Sequence, residues 1–332
     1  MKNRLIEFDL MKGIGILLVI LGHSVPDFPL NLRADNASRL IEEVVYGFHM
    51  PLFFVCSGFV MQMSEHKPNG GGNFLNLVKS RSLRLLLPYM AFSFFSLGLR
   101  LAFSAFTRSS VELATSTYQI FFEGKFFWFL YVLFIVSILL KGLKVITKKI
   151  EFSLLFSFAL YVLGLFLNTK FLCLDRLGYF AIHTVAGCYL YEYRECFFRF
   201  AKKWHAGVCA LLMFGLLFML PKFESVVYMQ MLRFLKAFTG VAMTLTLCLN
   251  HERISNRIKT ALVYFGNYSL QYYLVHMVIS LPVYYIVAKL PLPMPLMFVF
   301  ANFVIITMLS FVIVKILFRL KALYPLLGLK RV

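Results

Sequence analysis

The sequence predicts an all-α membrane protein, a polytopic bundle of about ten transmembrane helices with both termini in the cytoplasm. Of its 332 residues, 60% are hydrophobic and only 15% are charged, whereas about a quarter of the residues in a soluble domain are charged. The apolar residues form long runs, and the basic residues concentrate in alternate gaps between those runs. We expect a single transmembrane domain over residues 1–332, with no room for an appended soluble domain.

Each long apolar run is a candidate span, because crossing a bilayer takes about 20 mostly apolar residues. The sequence shows no internal repeat. A glycine-rich turn at residues 68–72 is expected on the inner side of the membrane. The candidate spans are residues 10–27, 43–62, 83–106, 126–141, 150–168, 177–193, 206–221, 231–250, 268–289 and 294–318.

The basic residues orient these spans. With the N-terminus placed inside, the cations in the inner segments outnumber those in the outer segments by two to one, as the positive-inside rule predicts. The excess of basic residues, which gives a net charge of +19, is therefore explained by the orientation of the spans. The expected partner of the protein is the lipid bilayer. Nucleic acid is not expected, since no basic stripe is interleaved with aromatic residues on a polar domain.

The cysteines and histidines give no metal-site pattern. The six cysteines include no Cys-x-x-Cys pair, and most of them lie within apolar runs, where they behave as small buried residues. The histidines have neither close ligand spacing nor cysteine partners. We expect no bound metal, no disulfide framework and no permanently bound cofactor.

The first span carries three ionisable residues, Asp9, Lys12 and His23. Such groups are costly within a membrane and usually mark a pathway or a site. Lys12 and His23 are eleven residues apart, which on an α-helix returns to within about 20° of the same face and spans about 16 Å. Asp9 lies one turn before Lys12 and can pair with it. A cation that extends to the inner surface and a histidine bonded to the backbone remain the simpler alternative.

The second span brings another histidine from the outer side. His49 is expected at the depth of His23, so that two imidazoles could orient a hydroxyl and accept its proton. Pro51 is expected in the first turns of that helix, where its missing N–H is tolerated. Ser57 and Gly58 permit close approach of a neighbouring helix, and packing is their simplest role.

An arginine pair lies at the inner entrance to the third span. Arg81 and Arg84 are three residues apart and face the same way on a helix, an arrangement that suits the phosphates of a cytosolic ligand. Basic residues at an inner helix end also anchor membrane proteins in general, so ligand binding and anchoring both stay open.

Two aromatic motifs in later spans follow these three in order along the chain. The ordered motifs are Arg4-x4-Asp9-x2-Lys12-Gly13-x9-His23, Phe48-His49-Met50-Pro51-Leu52-Phe53-Phe54-x2-Ser57-Gly58, Arg81-x2-Arg84-x3-Pro88-Tyr89, Phe127-Trp128-Phe129-Leu130 and Ser269-x3-Tyr273-Leu274-x-His276. This ordered set resembles the integral-membrane acyltransferase 3 family, whose members acylate hydroxyls on bacterial surface glycans, and the resemblance covers essentially the whole chain.

The resemblance implies roles for particular residues. The basic-x10-His motif of the family falls on Lys12 and His23, with His23 catalytic and supported by Asp9 and Lys12. The Arg-x-x-Arg motif falls on Arg81 and Arg84, which together with Lys12 are implied to bind acyl-CoA. Many members have arginine at position 12, and lysine keeps the charge but loses the planar fork. The residues expected to contact the acceptor or line the cavity are His49, Ser57, Trp128, Ser269, Tyr273 and His276.

The implied reaction moves an acetyl or other short acyl group from cytosolic acyl-CoA, as donor substrate, to a hydroxyl of a surface or lipid-linked carbohydrate at the bacterial inner membrane. A histidine that titrates near neutral pH suits the proton of that hydroxyl. Direct attack and an acyl-enzyme relay both stay open. The rival classes are a transporter or flippase of lipid-linked sugars and a non-catalytic scaffold. The sequence specifies neither the acceptor nor the oligomeric state.

Some of these polar residues also have a simpler interpretation. His183 and His276 could line the cavity or hydrogen-bond within the helix core, and Trp128 could belong to an aromatic belt at the outer interface.

Overall fold

All regular secondary structure in the part of the chain described by the structure, a computed structural model, is helical. The described residues are 5–66, 73–103, 112–167, 169–221 and 223–329, and within them no β-strand occurs. The predicted all-α class is therefore confirmed. The motif residue Arg4 and the predicted turn at 68–72 lie outside these ranges. The α-helices are α1 (Ile6–His23), α2 (Asn36–Glu65), α3 (Phe74–Arg81), α4 (Leu87–Ala102), α5 (Leu113–Phe122), α6 (Trp128–Thr147), α7 (Ile150–Leu167), α8 (Leu174–Glu192), α9 (Arg194–Ala201), α10 (Trp204–Met219), α11 (Val226–Leu249), α12 (Asn256–Asn267), α13 (Ser269–Val287) and α14 (Pro295–Leu317).

Many of these helices are long enough to cross a membrane. Among the described residues, seven helical segments have the length and hydropathy of a span, or eight if the bent pair formed by α9 and α10 counts as one. The seven are α2, α3 with α4, α6, α7, α11, α13 and α14. The predicted multi-span class is confirmed, whereas the count of ten spans and the position of the termini stay predictions.

Helix α1 differs from these seven in its charge. It has 18 residues, which is long enough for a span, but Glu7, Asp9 and Lys12 lie within its first seven. Its position in the structure thus depends on polar contacts within the protein as well as on hydropathy.

Helix α2 begins at Asn36, seven residues before the predicted start of the span at residue 43. The side chain of Asp35 accepts hydrogen bonds from the backbone N–H and the hydroxyl of Ser38, both at 2.8 Å, and so caps the helix. The same bonds hold the pKa of the Asp35 carboxyl below its ordinary value. Pro51 therefore lies in the middle of a 30-residue helix, so its predicted place in the first turns is wrong.

Four segments predicted as connections between spans contain short helices instead, α3, α5, α9 and α12. Each has only eight to twelve residues, which is too short to cross a bilayer alone. Such helices satisfy their own backbone hydrogen bonds, which is the condition that favours helix over irregular chain close to lipid.

The helices form two compact units. The first comprises Met1–Cys56 and Glu192–Val312, and the second comprises Ser57–Tyr191 and Ile313–Val332. Helices α2 and α14 both begin in the first unit and end in the second.

In the first unit, α1 packs closely against α12 through two glycines. A Cβ at Gly13 would lie 2.0 Å from the carbonyl oxygen of Leu262, and a Cβ at Gly266 would lie 1.8 Å from that of Asp9. Backbone atoms cannot yield as a flexible side chain can, so the contact requires glycine in both helices. This crossing fixes the position of the polar segment of α1.

In the second unit, the predicted packing role of the Ser57-Gly58 pair matches the geometry at Gly58. A Cβ there would lie 1.8 Å from the carbonyl oxygen of Thr184 in α8, so α2 and α8 approach with no side chain between them. At the end of α2, Glu65 forms an ion pair with Lys141 of α6 at 2.8 Å, and this pair fastens the two helices.

We predict that Gly266→Ala destabilises the protein. The added methyl group forces α12 away from α1, and overpacking of this kind costs about 1–3 kcal/mol. Thermal unfolding of the detergent-purified protein measures the loss. Gly98→Ala is the matched control, since nothing lies within 4 Å of a Cβ at Gly98. Equal melting temperatures for the two variants would show that the close crossing does not determine stability.

Candidate active site

The polar segment of α1 contains a charged pair. The Nζ of Lys12 donates to Oδ1 of Asp9 at 2.8 Å, as the spacing predicted. Asp9 is buried, with 4% of its surface exposed, and the Lys12 side chain is partly exposed at 27%. The pair lies where α12 crosses α1, so each charge keeps an opposite partner in an apolar setting.

The other end of α1 is held by two helices of the same unit. The hydroxyl of Tyr284 in α13 donates to the carbonyl oxygen of His23, and Nδ2 of Asn302 in α14 donates to the carbonyl oxygen of Ser24 at 3.3 Å. The Ser24 hydroxyl in turn donates to the carbonyl of Ile20 at 2.8 Å. These bonds satisfy the carbonyl groups that the end of a helix leaves free, and they fix the backbone that carries His23.

Three histidines from three helices meet around this point, and we call His23, His49 and His276 the imidazole cluster. The ring centroids of His23 and His276 are 5.3 Å apart. Tyr46 contacts both His23 and His49, and its ring centroid lies 6.1 Å from that of His23 and 5.1 Å from that of His49. His23 and His49 thus both lie against Tyr46, and His276 is the third member of the cluster; the predicted equal depth of His23 and His49 stays a prediction.

Backbone bonds orient two members of the imidazole cluster. Nδ1 of His49 contacts the carbonyl oxygen of Val45 at 2.7 Å, and Nδ1 of His276 contacts that of Tyr272 at 3.0 Å. Because a carbonyl oxygen only accepts, Nδ1 carries the proton in both rings and Nε2 is the basic nitrogen of the neutral form. Nε2 of His276 is buried and has no hydrogen-bond partner among the described residues.

His23 differs from its neighbours in access and in bonding. His49 and His276 are 5% and 0% exposed, whereas His23 is only partly buried. Within the described chain, neither ring nitrogen of His23 forms a hydrogen bond. Of the three histidines, His23 is therefore the least buried, and its ring nitrogens form no hydrogen bond within the described residues, which makes it the best candidate to accept a proton.

Beside the imidazole cluster lies an ion pair that the sequence did not predict. The guanidinium of Arg33 donates to Oε1 of Glu42 at 2.6 Å, and both residues lie close to Tyr46. The sequence contained one signal for it. Asp35 is a good helix N-cap residue, and a helix starting after it places Glu42 seven residues before His49 and on the same face.

The predicted arginine pair lies in the second unit, at an unusual helical turn. Residues Ser82–Leu86 form a π-helical segment, in which the N–H of Leu87 bonds to the carbonyl of Ser82, five residues earlier. Such turns occur frequently at functional sites. Arg81 is partly buried and Arg84 is exposed, and within the described residues neither forms an ion pair or a hydrogen bond. Two neighbouring cations without an anion are suited to an anionic ligand.

The remaining predicted site residues lie outside the imidazole cluster, apart from Tyr273. The ring centroid of Tyr273 is 5.7 Å from that of His276. Ser269 is the first residue of α13 and lies about two turns before His276. Trp128 and Ser57 belong to the second unit. Trp128 packs against Phe180, with ring centroids 5.2 Å apart.

His183 also belongs to the second unit. Its Nδ1 contacts the carbonyl oxygen of Tyr179 at 2.8 Å, so the ring is oriented by the backbone of its own helix. Within the described ranges, no three residues of His, Cys, Asp or Glu are grouped as metal ligands would be.

Comparison with known proteins identifies the family to which these motifs belong. A family model described as an acyltransferase domain matches residues 5–315, which is nearly the whole chain. The match favours an enzyme over the transporter and the scaffold. No solved structure matches the chain.

Two curated relatives match parts of the sequence. Nodulation protein NolL of Sinorhizobium fredii is 34% identical over 90 residues, which cover 27% of this chain and 23% of that protein. Nodulation protein NolL of Mesorhizobium japonicum is 29% identical over 153 residues, which cover 44% of this chain and 38% of that protein. The chain thus spans less than two fifths of the length of either relative.

We predict that Tyr284→Phe loosens the end of α1. The variant removes the hydroxyl that bonds to the carbonyl of His23, and a lost hydrogen bond of this kind lowers the free energy of unfolding by about 1 kcal/mol. Chemical denaturation of the purified protein measures the change. Tyr118→Phe is the control, because the Tyr118 hydroxyl forms no hydrogen bond within the described residues. A loss no larger than that of the control would contradict the proposed anchoring.

Proposed function

This chain belongs to the acyltransferase 3 family and is a multi-pass membrane acyltransferase, and from that premise we propose that it moves an acetyl group from cytosolic acetyl-CoA to a carbohydrate hydroxyl. The observation that carries the proposal is the chemistry around His23. A partly buried imidazole, whose ring forms no hydrogen bond to any residue that the structure describes, lies among two buried histidines and a tyrosine. This arrangement suits removal of a proton from an alcohol.

The proposed reaction is a direct transfer. His23 accepts the proton of the acceptor hydroxyl while the hydroxyl oxygen attacks the carbonyl carbon of the thioester. The tetrahedral intermediate then collapses, the carbon–sulfur bond breaks, and the coenzyme A thiolate takes the proton from the His23 imidazolium. The products are an ester and free coenzyme A. A positioned general base contributes about 10²–10⁴-fold to such a step.

The proposed donor site uses the arginine pair. Coenzyme A carries several phosphate charges, and arginine pairs with phosphate through two parallel hydrogen bonds. Arg81 and Arg84 have no anionic partner among the described residues, so an anionic ligand adds favourable interactions without breaking existing ones. Lys12 is proposed to add positive charge near the acyl group, with Asp9 holding its ammonium group in place.

The proposed topology has ten spans and cytoplasmic termini in the bacterial inner membrane. It adds three segments to the seven that meet the length and hydropathy criteria, namely α1, α8 and the bent pair of α9 with α10. Each corresponds to a span predicted from the sequence. An even number of spans places both termini on the same side of the membrane, and the two spans that precede Arg81 place the arginine pair on that side as well. The positive-inside rule makes this the cytosolic side. The acceptor then enters from the opposite side.

We predict that His23→Gln strongly lowers the rate of acetyl transfer. Glutamine approximates the size of the imidazole but cannot accept the proton, so kcat should fall by about 100-fold or more. Membranes supplied with radiolabelled acetyl-CoA and with surface glycan from cells lacking the gene, de-esterified by mild alkali, report the rate. His205→Gln is the control, because His205 is exposed on α10, far along the chain from the motifs. Near-normal transfer by His23→Gln at normal membrane levels would exclude His23 as the base.

We predict that Arg81→Gln and Arg84→Gln each raise the KM for acetyl-CoA by about tenfold or more, since a charge-assisted bond to phosphate is lost. The KM for the glycan should not change. Lys79→Gln is the matched control, because Lys79 is an exposed cation two residues before Arg81 on α3. An equal rise in all three variants would indicate a general effect of surface charge and would contradict a specific phosphate site.

A further inference from the structure

The ion pair of Arg33 and Glu42 beside the imidazole cluster has hydrogen-bonding groups that the pair itself does not use. Arg33 bonds to Glu42 and also interacts with the Tyr46 hydroxyl, and these contacts use only part of the five N–H donors of a guanidinium. Its side chain is 46% exposed, whereas that of Glu42 is only 11% exposed. The buried carboxylate thus fixes a guanidinium that is nearly half exposed and close enough to act electrostatically on His23.

An aromatic ring completes this surface. A Cβ at Gly22 would lie 2.6 Å from Cε1 of Tyr46, so the ring lies against the backbone of α1 one residue before His23. Even so, 39% of Tyr46 is exposed. The surface therefore combines a fixed hydrogen-bond donor, a carboxylate acceptor and an aromatic ring at the accessible member of the imidazole cluster.

The charges at this surface point to an uncharged ligand. Arg33 and Glu42 neutralise each other, and Asp27 adds a further negative charge nearby. A phosphate or carboxylate would have to compete with Glu42 for Arg33. No such competition exists at Arg81 and Arg84, which have no acidic partner among the described residues. A neutral hydroxyl both donates and accepts, so it can bond to the guanidinium and the carboxylate together without breaking the pair.

We propose that Arg33, Glu42 and Tyr46 form the acceptor subsite, which binds an uncharged sugar ring and presents one of its hydroxyls to His23. The apolar face of the ring lies on Tyr46, and neighbouring hydroxyls bond to Arg33 and Glu42. Such sites combine apolar and aromatic lining with a few precisely placed polar groups. The proposal rests on the proposed function and adds to it the residues and the charge of the acceptor.

Glu42→Gln provides the decisive test, because the sign of its effect differs for the two kinds of acceptor. The KM for the de-esterified surface glycan is measured in membranes, with radiolabelled acetyl-CoA as donor. For a neutral ring the variant loses a charged acceptor, and the KM should rise about tenfold or more with the KM for acetyl-CoA unchanged. For an anionic group the freed arginine would bind more tightly, and the KM for the glycan would fall. A fall, no change, or a loss confined to kcat would overturn the proposal.

Further variants separate recognition from folding. Arg33→Lys and Tyr46→Leu should each raise the KM for the glycan with little effect on that for acetyl-CoA. The double exchange Arg33→Glu with Glu42→Arg keeps an ion pair but swaps the positions of the two charges. The KM for the glycan should therefore stay above that of the wild type. Recovery of the normal KM by the exchange would assign the pair a purely structural role and overturn the proposal.

The control is the ion pair of the exposed Arg39 and the partly exposed Glu43 on the same helix, 3.9 Å apart. Arg39→Gln should leave both KM values unchanged. The two proposals fail in different ways. If wild-type membranes transfer no label to the glycan, the proposed function fails and the subsite with it. If wild-type membranes are active but the Glu42, Arg33 and Tyr46 variants keep the wild-type KM for the glycan, the subsite alone fails.

Discussion

The structure depends on one constraint, that polar groups among apolar helices need partners within the protein. Asp9 and Lys12 pair with each other, and His49 and His276 donate to carbonyls of their own helices. The glycine crossing of α1 and α12 holds the first of these pairs in place. Among the three histidines of the imidazole cluster, His23 differs, because its backbone is fixed while its ring forms no hydrogen bond within the described residues. In an environment that enforces pairing, such a ring is the best candidate for chemistry.

The two arginine sites illustrate how charge can distinguish substrates. Arg81 and Arg84 repel each other and have no described counter-ion, which favours a ligand with several negative charges. Arg33 has the same functional group, but Glu42 neutralises it, which favours a ligand with none. Under the proposed reaction these are the donor and the acceptor, and each site would tend to exclude the other substrate by charge.

Hydropathy predicted the long helices well and missed features that depend on polar residues. The predicted spans correspond to helices within several residues, yet α2 starts seven residues early because Asp35, a polar cap, sets its boundary. Because of this earlier start, Glu42 was not among the predicted site residues, and Pro51 lies in the middle of the helix and not in its first turns. The short helix α12 was likewise missed, although it is the element that packs on the polar segment of α1.

The sequence by itself determined the all-α membrane class, the Asp9–Lys12 pair and the arginine pair, because these follow from hydropathy and from spacing along one helix. Only the tertiary structure decided which distant side chains meet. Residues 23, 49 and 276 lie on three helices, and helix packing alone brings the rings of His23 and His276 to 5.3 Å. It also decided that His23, rather than the buried His49 or His276, stays accessible, since burial depends on every neighbouring helix and not on local spacing.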